Sequence, residues 1–336
     1  MIANRRPGAA TAARVLPIAG WSLLAALVIL TGVDGSRYFV YLATLIALNA
    51  ALATSLNLLI GYTGQFAMSH AAFYGLGAYV SALLITHLGF GFWVSVPVAM
   101  LLAGALAAVI GYPAVRFTGG IYLALITFAF GELARLVASN WQDLTGGPMG
   151  MRVLYSPSPL FGIDLGSAKG LYWLAVAMLL ISLAVIVLVR RSRFGRALIA
   201  IREDEVLASF LGVNVVGYKL AAYVISSMLA AMVGTAYAPI LTFISPDLLG
   251  VNQTISWIGI LIVGGIGTVA GPIIGTLIFY AIPELLSVPP LYRLIALGVV
   301  IIVVVLFAPE GIAGVMRRLL RRSNRRRAAA LETTGA

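Results

Sequence analysis

Cysteine is absent from the 336-residue chain, so disulfides, thiolate metal sites and cysteine nucleophiles are all excluded. Charge is nearly as scarce. Asp, Glu, Lys and Arg make up 10% of the residues while 61% are apolar, against roughly 25% charged in an ordinary soluble domain. This excludes a soluble globular protein. No charged residue occurs in 38–115, 220–246 or 248–283, and each run exceeds the roughly 20 residues with which an apolar helix crosses a bilayer.

Catalytic groups are few as well. His70 and His87 are the two histidines, and no Asp or Glu lies in the spans around them. A metal cluster or catalytic triad lacks its components, so no metal site and no catalytic residue are expected. The lysines are Lys169 and Lys219. Lys219 follows Gly212, Gly217 and Tyr218, but a phosphate loop needs Gly-Lys followed by Ser or Thr. Tyr218 and Leu220 occupy those places. The chain is therefore not expected to be an enzyme or to hold a cofactor, and any ATP used belongs to another polypeptide.

What charge there is lies in particular places. The net charge of +11 is carried by Arg5, Arg6 and Arg14, by the 190–219 segment and by the arginine-rich tail after Glu310. Basic residues confined to termini and one central loop are what the positive-inside rule predicts for cytoplasmic segments. A nucleic-acid partner is not needed to explain them, and membrane lipid is the expected neighbour.

The hydropathy pattern predicts an all-α polytopic transmembrane bundle of about ten spans. They fall near 15–33, 38–60, 65–87, 92–115, 119–139, 171–189, 219–243, 249–266, 270–287 and 291–308. The first stretch exceeds the 7–15 residues of a signal-peptide core, which makes it an uncleaved span. An even count places both termini on one side, and 17 of the 22 Lys and Arg residues then face the cytoplasm. The expected organisation is a cytoplasmic N-terminus at 1–14, a transmembrane domain at 15–308 with a cytoplasmic loop at 190–218, and a basic cytoplasmic tail at 309–336.

Glycine is abundant, with 36 residues. Many suit close helix approach, but two clusters share the pattern G-x-x-G-x-x-A: Gly61-Tyr-Thr-Gly64-Gln-Phe-Ala67 and Gly264-Gly-Ile-Gly267-Thr-Val-Ala270. They predict broken or re-entrant helices near 61–67 and 264–270, an arrangement found at transporter binding sites. Polar side chains within spans are costly and therefore informative. Asn57, Gln65, Ser69 and His70 gather at the first break, and Asn252 and Gln253 precede the second. They are candidates for a translocation path, and interhelical hydrogen bonding is the other reading. Glu132 and Arg135, three residues apart on one helix, are spaced to pair.

The outer loop at 140–170 contains Gly146, Gly147, Pro148, Pro157 and Pro159, which disfavour regular helix. It either docks an external partner or covers the mouth of the bundle. The central loop reads RRSRFGRALIAIREDEVLASFLG over 190–212. Asp204 is a good N-cap and Gly212 a good C′ residue, and Val206, Leu207, Phe210 and Leu211 fall on one arc between them. A short amphipathic helix is expected, lying either on the lipid surface or in a groove of a partner protein.

That loop, with GYTGQFAMSHAAFYGLGAY at 61–79, GIYLALITFAFGE at 120–132, LTGGPMG at 144–150 and GGIGTVAGP at 264–272, resembles the branched-chain amino acid ABC transporter permeases of the LivM type. The likeness runs over roughly residues 38 to 310. It implies a permease subunit of an ABC importer in the bacterial inner membrane, forming the path for leucine, isoleucine or valine. The implied partners are a second related permease, two cytoplasmic ATPase subunits that bind the ATP, and an extracytoplasmic solute-binding protein. The resemblance carries an ATPase-coupling role to Gly195, Arg196, Arg202, Glu203, Glu205 and Gly212. Urea and short-chain amide permeases share these motifs and supply an alternative substrate class. A gradient-driven secondary transporter is the alternative of another class, with Glu132 its main candidate for ion coupling.

Overall fold

The computed structural model describes residues 37–117, 121–153, 155–159, 164–285, 293–308 and 310–315. The expected N-terminal segment, the first span at 15–33 and the tail beyond Val315 lie outside the described residues. The chain divides into two compact units, one of residues 34–258 and one that includes the residues from Gly259 onward.

The first unit is a bundle of long apolar helices. Helix α1 (Arg37–Asn57) continues as a π-helical turn (Leu58–Thr63), followed by α2 (His70–Leu88), α3 (Phe92–Phe117) and α4 (Ile121–Asn140). A single-turn α5 (Gln142–Thr145) precedes α6 (Ala168–Arg191), α7 (Arg193–Glu203), α8 (Glu205–Phe210), α9 (Val215–Leu241) and α10 (Val251–Gly264). Six stretches here are long and apolar enough to cross a membrane, and Gly298–Val315 is a seventh. The bounds of the first six lie within a few residues of the expected spans, except that α2 starts at His70 instead of near 65, and the seventh is shifted seven residues from the expected 291–308.

Central in this unit is α9, packed on α2, α3 and α1. Glycine makes the closest of these crossings possible. A Cβ at Gly77 would lie 2.1 Å from the Ala231 carbonyl oxygen, and one at Gly234 would lie 2.0 Å from that of Tyr74. Neither position tolerates a side chain, so α2 and α9 meet backbone to backbone, as small residues permit in membranes. Helix α1 runs along α6.

The described part of the 140–170 region carries more regular structure than its glycines and prolines suggest. Besides α5 it contains β1 (Met151–Arg152), which pairs antiparallel with β2 (Phe243–Ile244), a small departure from an all-helical chain. Glycine lets the turn reach this pairing: Gly146, Gly147 and Gly150 all have φ between 60° and 75°, a region that costs other residues energy. Tyr155 folds back onto the bundle, its hydroxyl 3.1 Å from Ser81 Oγ, which in turn meets Ser95 Oγ at 2.7 Å. Burial pushes the Tyr155 phenol up to about 12, so it stays neutral at ordinary pH.

The second unit contains the end of α10, then α11 (Gly271–Leu285) and α12 (Arg293–Phe307). Helices α10 and α11 have 14 and 15 residues, shorter than the expected spans 249–266 and 270–287. The glycine cluster sets the facing ends of the two helices. Gly265 and Gly267 have φ of 112° and 77°, which ends α10, and α11 starts only after the turn. A Cβ at Gly264 would sit 1.9 Å from the Gly271 oxygen, so the two helices leave the turn in near contact.

Candidate functional site

The first glycine cluster produces a true break. Gly64 has φ +70° and closes the π-helical turn, its N–H bonded to the Leu59 carbonyl. Residues 64–69 then run non-helically and return beside α1, until His70 Nε2 lies 3.0 Å from Ser55 Oγ. Backbone outside a helix is tolerated at membrane depth only where protein or a water-lined cavity satisfies it. Protein side chains do so here. Thr127 Oγ1 on α4 accepts from the Met68 N–H at 2.9 Å. Thr254 Oγ1 on α10 donates to the Met68 carbonyl at 3.2 Å and accepts from the Ala71 N–H at 3.0 Å. One threonine thus serves both the end of the extended stretch and the first turn of α2.

A buried polar layer surrounds this point. Ser69 Oγ meets the Tyr223 hydroxyl at 2.6 Å, Ser226 Oγ donates to the Ser55 carbonyl at 2.7 Å, and Trp257 Nε1 donates to Asn49 Oδ1 at 2.8 Å. The His70 ring stands edge-on to Trp257. Asn57, Gln65, Ser69 and His70 are all buried here, whereas Asn252 and Gln253 lie exposed at the start of α10. Gln65 differs from its neighbours: both its amide atoms are buried with no hydrogen-bond partner. Such a group costs roughly 1–3 kcal/mol.

The 190–218 loop is two helices at one end of the bundle. Ser192 caps α7 by accepting from the Gly195 N–H at 3.2 Å. The basic strip expected there is itself helical, because Gly195, Leu198 and Ile201 recur at helical spacing and are buried. A Cβ at Gly195 would stand 2.2 Å from the Val189 carbonyl oxygen, so only glycine allows α7 to fold back on the end of α6. The second helix matches the expected amphipathic one. Asp204 Oδ1 accepts from the Leu207 N–H at 2.9 Å, and Gly212 follows the last turn with φ +81°. Val206, Leu207, Phe210 and Leu211 are all exposed, Phe210 to 83%. Arg196 and Glu203 face outward as well.

Two contacts tie this loop to the rest of the unit. The Arg202 guanidinium donates to the Gly61 carbonyl oxygen, and Glu205 pairs with Lys219 of α9 at 2.5 Å. Phe194 stacks on Tyr218 with ring centroids 5.3 Å apart. Between loop and break lies a cavity of about 480 Å³, lined among others by Gln65, Leu123, Ile201, Arg202, Glu205 and Lys219. Sequence reading placed Arg202 and Glu205 in one group and Gln65 in another, and the fold brings them to one wall. Lys219, Tyr223, Thr127 and Thr254 carried no local motif; a polar side chain inside an apolar run was the only available signal for the last three.

Among the described residues no cluster of three or more His, Asp or Glu is arranged to hold a metal. Glu132 Oε2 accepts from Arg135 Nε at 2.8 Å, the pairing that their spacing implied.

Comparison with known proteins decides what this scaffold is. Residues 38–305 match the family described as branched-chain amino acid transport system, permease component. The chain belongs to that family. As a member it is a multi-pass membrane permease component. The high-affinity branched-chain amino acid transport system permease protein LivM of Escherichia coli K12 is 31% identical over 312 residues, covering 86% of this chain and 73% of the relative. LivM of Salmonella typhimurium is 30% identical, covering 85% and 72%. The related permease LivH of Salmonella typhimurium is 27% identical, covering 79% and 91%. No solved structure matches.

Proposed function

We propose that this permease carries leucine, isoleucine and valine inward across the bacterial inner membrane. A second permease of the same family, two ATPase subunits and an external solute-binding protein complete the importer, and the ATPases hold all the ATP. The basic end, with the 190–218 loop, faces the cytoplasm, in keeping with the positive-inside rule. The observation that carries the proposal is α8. Its exposed Val206, Leu207, Phe210 and Leu211 form an apolar knob on a capped helix, the shape that fills a partner's groove. Arg202, one turn upstream, reaches the broken helix at Gly61, so a push on the knob is delivered to the break.

Substrate choice supports a small apolar zwitterion through the family relatives, whose names specify branched-chain amino acids. The test is competition. In the assembled importer, labelled leucine uptake should be suppressed by excess isoleucine and valine and untouched by urea or acetamide. Suppression by urea or acetamide alone would transfer the protein to the amide-permease reading.

A further inference from the structure

The cavity behind the 64–69 segment has features that a connecting space does not need. Its volume of about 480 Å³ falls in the range of roughly 300–1,000 Å³ typical of small-molecule sites. One part of its lining is apolar, with Val115, Leu123 and Ile201. Val115 and Leu123 are continuous with a buried cluster that includes Ala114, against which Ile126 and Val216 pack. Another part carries both signs of charge: Arg202, Glu205 and Lys219.

These two kinds of lining match a molecule with an aliphatic branch, a carboxylate and an ammonium group. We infer that the cavity is the inward-side release site for the carried amino acid. Its carboxylate lies against Arg202 and Lys219, its ammonium group against Glu205, and its branched side chain on Val115, Leu123 and Ile201. The inference rests on the transport reading above and adds a place along the path.

The charged groups of the wall are held by contacts that a zwitterion can replace. Glu205 and Lys219 neutralise each other at 2.5 Å, and Arg202 rests on a carbonyl at a helix end. A zwitterion entering between them replaces one ion pair by two, so no charge is stranded. Gln65 belongs to the same wall, and its buried amide is partnerless here. The site therefore distinguishes leucine from the same skeleton without its ammonium group through Glu205.

The lack of cysteine makes this directly measurable. Ala124, half-buried in the cavity wall, is changed by Ala124→Cys, and the assembled importer without nucleotide is labelled with a maleimide, read on this chain alone. Leucine at roughly twice its Kd should slow labelling by about threefold, and 4-methylpentanoate should slow it less. Adding Glu205→Gln, a change at an exposed carboxylate, should bring the two ligands level. Leucine uptake that persists with no protection of Cys at position 124 overturns the site and leaves the transport reading intact. No leucine uptake by the importer carrying the unchanged Ala124, together with no protection of Cys at position 124, overturns both. Equal protection by the two ligands before Glu205 is changed overturns the ammonium contact.

Discussion

The Arg202 guanidinium donates to the Gly61 carbonyl oxygen across 141 positions of sequence. Gly61 lies in the last turn before α1 breaks, where carbonyls have no partner within the helix and a cation is favoured by the helix dipole. Gly64, which ends that turn, packs on the stem of the same side chain: a Cβ there would stand 3.1 Å from Arg202 Cγ. The loop and the broken helix are therefore in direct contact through one side chain. Replacing Arg202 by Ala removes a hydrogen bond to a charged group, worth about 1.5–3 kcal/mol. Leucine uptake by the assembled importer should fall by about tenfold, while ATP hydrolysis continues, and the ratio of solute moved to ATP consumed is the measurement.

Phe210 and Leu211 offer a separation of docking from folding. Both are exposed at the end of α8, so Phe210→Asp costs the isolated chain little. Buried in a partner's groove, the same change removes a central anchor worth about 2 kcal/mol or more. Co-purification of the ATPase subunits should be lost with thermal stability of the permease unchanged.

Thr254 holds both sides of the break. Thr254→Val keeps the shape but leaves the Ala71 N–H and the part-buried Met68 carbonyl without this partner, at a cost of about 1–3 kcal/mol for the buried N–H. The Tm in detergent should drop, whereas Ser256→Ala, a half-buried neighbour whose hydroxyl bonds only within its own helix, should leave it nearly unchanged.

Gly77 and Gly234 fix the crossing of α2 and α9. Gly77→Val forces a side chain onto the Ala231 carbonyl, and overpacking of this kind costs about 3 kcal/mol. The variant should fail to accumulate in membranes, as judged by immunoblot, while Gly91→Ala, at an open position without a positive φ, should accumulate normally.

Glu132 tests the gradient-driven alternative. Its partly exposed pair with Arg135 is worth less than about 1 kcal/mol. Glu132→Gln should leave uptake near the parent level at every external pH, and a proton-coupled carrier would lose it.

Much of this was legible in the chain. Asp204 and Gly212 delimit a short helix because capping chemistry is local, and the two glycine clusters end helices because a positive φ is a property of single residues. The positions of the long helices follow from charge-free runs. The helix at 193–203 was not legible, since its arginines mask the stripe of Gly195, Leu198 and Ile201. The link from Arg202 to Gly61 and the shared wall of Gln65, Glu205 and Lys219 depend on tertiary packing between residues far apart in sequence.

The most direct test of the account is leucine uptake into proteoliposomes containing this permease with its partner permease, ATPases and binding protein. Uptake should require ATP inside the compartment that meets α8, require the binding protein on the opposite side, and survive ionophores that collapse proton and sodium gradients. Uptake by this chain alone, driven by such a gradient and indifferent to ATP, would contradict it.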